Sequence, residues 1–154
     1  IAIIYRSSWI KEIIIMYKVY KAVPMGLDEQ LGHVNEDGKV YRSKVGLDEH
    51  LGNVDLSSGK VYTERFGPNK VVGRVDLKNG KVYHSQLGPD QYVGRVDDQG
   101  RMHSHVSMGA DDYIGKIDPF VSYAHAGAAL LLLVLPTLEE KSSEEADAQG
   151  ETSE

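Results

Sequence analysis

Two imidazoles separated by one residue, His103-Ser104-His105, are the first groups in this chain that could do chemistry. On a strand, residues i and i+2 share a face, so the pair could hold one transition-metal ion. A closed site wants further ligands, and the chain has no cysteine to supply a thiolate. His84 falls on the opposite face in the register derived below. The plainer account is two polar groups on a solvated face, and no metal is assigned. Asp28, Asp48, Asp90 and Asp111 recur once per repeat and could form a calcium or acid–base array. The loops Asp55-Leu56-Ser57-Ser58-Gly59 and Asp76-Leu77-Lys78-Asn79-Gly80 open like calcium loops, but they lack the alternating oxygen ligands and the closing Glu. Turn formation and cross-strand pairing account for all of these acids. Tyr20, Tyr41, Tyr62 and Tyr83 stand at an even spacing with Arg74 and Arg95 nearby. Such a column could stack on sugar rings or on the side chains of a protein partner. It could equally stabilise its own strands. No nucleophile elbow, phosphate loop or dinucleotide fingerprint occurs, so neither an enzyme activity nor a cofactor is assigned.

The elements that place these residues emerge from the glycines. Gly26, Gly46, Gly67, Gly88 and Gly109 form one lattice, Gly32, Gly52, Gly73, Gly94 and Gly115 a second, and Gly38, Gly59, Gly80 and Gly100 a third. The spacing within each is about 21 residues, a period that signals tandem structural units. Each unit reads as a β-hairpin: residues 72–76 and 81–85 are short, rich in β-branched and aromatic residues, and bounded by turn residues. If the loop closes Asp76 onto Lys81, then Val75 faces Val82, Arg74 faces Tyr83 and Gly73 faces His84. The same rule pairs Val34 with Val40, Val54 with Val61, and Val96 with Met102. The other units therefore return sensible partners, with valines on one face and polar or aromatic pairs on the other. Between hairpins, Gly-Leu-Asp or Gly-Pro-Asp is turn chemistry. Leu31, Leu51, Val72, Val93 and Ile114 make a further apolar column. Val45, Phe66, Leu87 and Met108 read as another.

The expected fold is all-β, a meander of five to six hairpin repeats over residues 16–123. A long open sheet tends to curl, so it should be rolled or barrel-like. Residues 120–135 carry no charge and are Leu-rich at their end. A short helix or strand over residues 124–136 is expected to pack on the rolled sheet or inside it, because a segment apolar on all sides needs cover on all sides. Pro136 is expected to end it. The alternative for residues 120–135 is a membrane anchor, which their length disfavours. Residues 1–15 carry no repeat, and Met16 is read as the natural start.

The chain has 17 basic and 23 acidic residues, a net charge of −6. Glu139, Glu140, Glu144, Glu145, Asp147, Glu151 and Glu154 against Lys141 place that entire excess in residues 137–154, expected to be a disordered acidic tail. The body is electrically neutral, which excludes the basic footprint of a nucleic-acid binder. The repeat resembles tandem β-hairpin repeat proteins, a group that includes the membrane-occupation-and-recognition-nexus repeats. The likeness covers residues 18–117 and lacks that family's Tyr-x-Gly-x-Trp signature, so it implies no functional residue. The expected function is a non-enzymatic structural or binding module in the cytoplasm, with a protein or carbohydrate partner and no nucleic acid.

Overall fold

In the computed structural model, residues 2–7, 10–65, 67, 69–106 and 108–150 are described. β1 (Ala2–Ser7) and β2 (Ile10–Ile14) pair as a two-stranded antiparallel sheet of their own. The repeats supply β3 (Met16–Lys21), β4 (Glu29–Asn35), β5 (Lys39–Arg42), β6 (Glu49–Val54), β7 (Lys60–Thr63), β8 (Lys70–Val75), β9 (Lys81–His84), β10 (Gln91–Val96), β11 (Arg101–Ser104) and β12 (Asp112–Asp118). Each is antiparallel to its neighbour in sequence, and β12 returns to pair with β3, so the meander closes into a barrel. The hairpin register is the one the side-chain chemistry demands: Val75 opposite Val82, Arg74 opposite Tyr83, Val34 opposite Val40, Val54 opposite Val61 and Val96 opposite Met102.

Closure with so few residues per strand needs strong curvature. The chain provides it with one β-bulge per repeat. Leu31, Leu51, Val72, Val93 and Ile114 are each the extra residue where the pairing between consecutive hairpins shifts. A bulge bends the strand and increases its twist. These residues form the column expected from the sequence and pack against the core. The adjacent glycine lattice has a steric origin. At Gly73, a Cβ would run into the carbonyl oxygen of Tyr83 on the neighbouring strand.

The lumen is filled by the chain's own C-terminus. α1 (Tyr123–Ala129), a π-helical turn (Leu130–Val134) and α2 (Leu135–Gly150) follow one another without a break. Ala126, Ala128, Ala129, Leu130, Leu133 and Val134 are completely buried among Val19, Val34, Val40, Val61 and Val82. The first half of the plug is made of small residues where the lumen is tight, and a Cβ on Gly127 would collide with Val75. Ser122 caps the helix, its Oγ accepting from the His125 backbone N–H at 3.2 Å. The His125 ring is buried against Tyr17, with centroids 5.1 Å apart and planes at 84°. Its Nε2 lies 2.9 Å from the Glu36 carbonyl oxygen, which can only accept, so Nε2 carries the proton. In the neutral ring, Nδ1 then accepts from the Ser122 hydroxyl at 2.6 Å.

Three expectations require correction. Pro136 does not end the helix. It lies near the start of α2, directly after the π turn in which Leu135 N–H bonds to Leu130 O. The wide turn absorbs the backbone mismatch that a proline would otherwise force on an α-helix. The acidic segment expected to be disordered is helical as far as Gly150, while Glu151 and Glu154 lie outside the described residues. Val45, Leu87 and Met108 are not a core column: they are 107%, 102% and 95% exposed, and Phe66 lies outside the described residues.

Candidate functional site

The two rims of the barrel are built differently, and only one offers a site. At the first rim the hairpin loops draw together. The carbonyls of Gly38, Gly59, Gly80 and Gly100 accept the backbone N–H of Val54, Val75, Val96 and Ile117 in the next strand over, at 2.8–3.0 Å. Asp55, Asp76 and Asp97 fold back on their own loops, each Oδ1 accepting from the backbone N–H two residues on at 2.9 Å. Phe120 and Tyr123 pack on each other across this end, beside Gly100 and Gly80. That rim is sealed.

At the second rim the helix leaves the barrel off-centre. Thr137, Glu140 and Glu144 share a small hollow with Lys21, Glu29 and Leu31, so α2 lies toward β3 and β4. On its other side a groove of about 920 Å³ opens between the helix and strands β5 to β11. Its apolar surface comes from Leu131, Leu132 and Leu135 of the plug with Leu51, Val72 and Val93 of the bulges. Arg42, Thr63, His84 and Ser104 line it from the wall. Each stands one residue beyond the outward Tyr41, Tyr62, Tyr83 and His103, so strand alternation turns it inward. This set was present in the sequence as a further lattice at the repeat period, and it was missed because its residue types differ from copy to copy. Around the groove, the loops raise Met25, Leu27, Val45, Leu47, Leu87 and Met108 into solvent, each at least 89% exposed.

The charges in the groove gather at β5 to β7. Arg42 is the register partner of Glu49, and Lys44 Nζ reaches Glu49 Oε2 at 2.8 Å. The Lys44 hydrogen bond holds the Glu49 carboxyl below its usual range; burial opposes it, and the Lys44, Arg42 and Arg65 charges add to the lowering. His50 Nδ1 donates to Glu64 Oε2 at 3.2 Å, while its buried Nε2 finds no hydrogen-bond partner. Glu139 faces the groove from α2.

Of the residues singled out from the sequence, His105 lines the groove and the others lie elsewhere. Tyr20, Tyr41, Tyr62 and Tyr83 are half-buried on the outer wall. Tyr41 lies between His33, stacked on it, and His50, tilted against it, with both centroid distances 5.1 Å. The Arg74 guanidinium lies 4.0 Å above the Tyr83 ring, and Lys116 Nζ is 5.4 Å from that of Tyr20. The rings of Tyr20, Tyr41 and Tyr83 are therefore met by side chains of the chain itself. The turn acids meet partners spread around the wall: Arg74 pairs with Asp90 at 2.8 Å and Arg95 with Asp111 at 3.5 Å, while Asp48 lies 3.7 Å from the imidazole of His33, whose pKa burial lowers. Lys116 with Asp28 at 3.6 Å continues the series across the seam between the last repeat and the first. At the equivalent place in the third repeat both partners are neutral, Asn53 and Asn69. His103 and His105 turn to different carboxylates, Asp97 at 3.6 Å and Asp111 at 3.4 Å, and to different tyrosines, Tyr113 and Tyr92. Among the described residues no three His or acidic side chains converge as a metal set.

No protein-family model, curated protein or solved structure matches the chain.

Proposed function

We propose that the protein is a non-enzymatic binding module that works at its open rim. The observation that carries this reading is the contrast between the ends. One rim is sealed by its own hydrogen bonds, the lumen is occupied by the buried plug, and the other rim presents a groove of about 920 Å³ with exposed apolar loop tips around it. A concave, partly apolar surface with a few convergent polar groups is the usual form of a ligand site. Exposed apolar clusters likewise mark surfaces that meet something else. The carboxyls with a clear shift, Glu49, Asp55, Asp97 and Asp111, are all held below their usual range, which suits ion pairing and turn capping rather than proton donation. The segment 120–135, the alternative anchor, is largely buried in the lumen, and no helix among the described residues is long and apolar enough to cross a membrane.

The test is to titrate the full chain with a neutral apolar dye such as Nile red and follow backbone amide resonances. Shifts are expected at residues 42–51, 63–65, 91–93 and 104–105. Shifts confined to the sealed-rim loops 36–38 and 77–80, or to the outer tyrosines, would sink the proposal.

A further inference from the structure

We infer that the outer wall around Tyr62 is a subsite for a neutral pyranose ring, one sugar of a carbohydrate chain, separate from the open-rim groove. The inference starts from what stands beside each outward ring. Across its own hairpin, Tyr41 faces His33, Tyr83 faces Arg74 and His103 faces Arg95, and across the seam Tyr20 faces Lys116. Each of these neighbours is a His, Arg or Lys. On the other side, Tyr41 faces His50, Tyr83 faces Tyr92, His103 faces Tyr113 and Tyr20 faces Gln30. In the third repeat both flanks change at once. Tyr62 faces Asn53 on one side and Val71, 42% exposed, on the other. The turn acid changes with them, Asn69 standing where Asp48, Asp90 and Asp111 stand. Among the described residues no cation and no second ring lies on Tyr62. The left-handed backbone of Asn69, φ 59, accounts for an asparagine at that turn. It does not account for the loss of the basic residue at position 53 or for the aliphatic one at 71.

The three departures surround one ring, and together they suit a sugar. The face of a tyrosine is electron-rich, and the axial C–H bonds of a β-linked glucose ring offer it a polarised apolar face. Asn53 on β6 and Asn69 just before β8 stand on either side of Tyr62 on β7. Their amides donate and accept without charge, which matches pairs of sugar hydroxyls. Lys60 and Glu64, two residues before and after Tyr62 on its strand, are opposite in sign and leave the patch without net charge. A tyrosine also stacks on proline, but these strands lie within a closed barrel and give a peptide no free backbone edge to extend.

The experiment titrates the full chain with cellotetraose, a neutral β-linked glucose oligomer, and follows the backbone amides and the Tyr62 ring by NMR. Shifts are expected at residues 53, 62 and 69–71. Tyr62→Leu should weaken binding about tenfold, and Tyr62→Trp should keep it. Asn53→Arg with Asn69→Asp rebuilds the pair seen at Arg74 and Asp90, so it should cover the ring and abolish binding while the amide spectrum stays that of the folded barrel. No shift at these residues up to the solubility of the sugar would overturn the inference, as would undiminished binding by the Asn53→Arg, Asn69→Asp chain. Sugar-induced shifts at residues 91–93 and 104–105 in their place would remove the wall site and leave the rim reading standing. A response to a polyproline peptide with none to cellotetraose would give the patch to a protein partner and sink the sugar assignment.

Discussion

Both rims of this barrel are made from the same repeat, five connections at one end and the hairpin loops at the other, yet they answer opposite demands. At the sealed rim every loop is tied to its neighbour: glycine carbonyls accept from the next strand, and aspartates bond the backbone of their own turns. At the open rim each connection begins with a backbone bond to the neighbouring strand, as Ser43 N–H to Leu31 O at 2.9 Å and Ser85 N–H to Val72 O at 3.0 Å, but beyond that bond the loops hold large apolar side chains away from the core. Burial accounts for the first arrangement. Stability does not account for the second, because an apolar side chain fully in water contributes nothing to folding. On the proposed function, a single repeat unit carries structure in one loop and recognition in the other, and the two can change independently.

The contrast can be broken or sharpened by substitution, and the largest effect belongs to the sealed rim. Gly80 and Gly88 both have positive φ, 76° and 86°. A Cβ on Gly80 would collide with Val96 O and the Tyr123 ring, whereas one on Gly88 meets nothing. Gly80→Ala should cost about 3 kcal/mol by combining backbone strain with a clash, and Gly88→Ala about 1 kcal/mol from strain alone. Urea unfolding of the two variants checks this, and equal losses would erase the distinction. Next comes His125→Ala, which frees the Glu36 carbonyl and opens space beside Tyr17. It should cost about 2 kcal/mol in the same assay.

Acid should weaken the sealed rim through Asp97. Burial pushes this carboxyl up, but the backbone N–H groups of Arg101 and Gln99 and the Arg101 side chain outweigh it and hold the group below its usual range. A carboxyl depressed in the folded state stabilises above its unfolded value of about 4, and that stability is lost as pH falls through the folded value. Thermal midpoints of the natural chain should thus fall more steeply below about pH 4 than those of Asp97→Asn. Parallel curves would show that Asp97 is not linked to folding. The smallest effect is expected at the open rim. Val45→Ser, Leu87→Ser and Met108→Ser should each change stability by less than about 0.5 kcal/mol. Together they should weaken retention on a phenyl-substituted column, and a large loss of stability would show that these tips are structural.

The repeat, the strand register and the inward valines were legible because strand alternation and loop length are local properties of the chain. Val75 with Val82 needed no third dimension. The bulges at Leu31, Leu51 and Val72 were not legible: they arise from the closure of the ring, to which no single hairpin testifies. Val45, Leu87 and Met108 read as core because apolar residues flanking a strand usually are, and only their position beyond the wall exposes them. Pro136 and the acids after it argued against a helix. The π turn and the purchase that buried Leu133 has in the lumen override that local preference. The groove itself depends on where α2 lies over the rim, which composition does not encode.

Closure of β12 onto β3, with Lys116 reaching Asp28, also fixes the copy number of the repeat. In an open solenoid, a duplicated unit merely lengthens the array. In this ring, the bore widens with every hairpin added, and the width that suits one helix suits only one number of strands. A gene that gained or lost a single repeat would encode either a loose sleeve around the plug or one too narrow to admit it. Change in this molecule is therefore confined to substitution within repeats, and divergence among its loops is the route left open for altering what it meets.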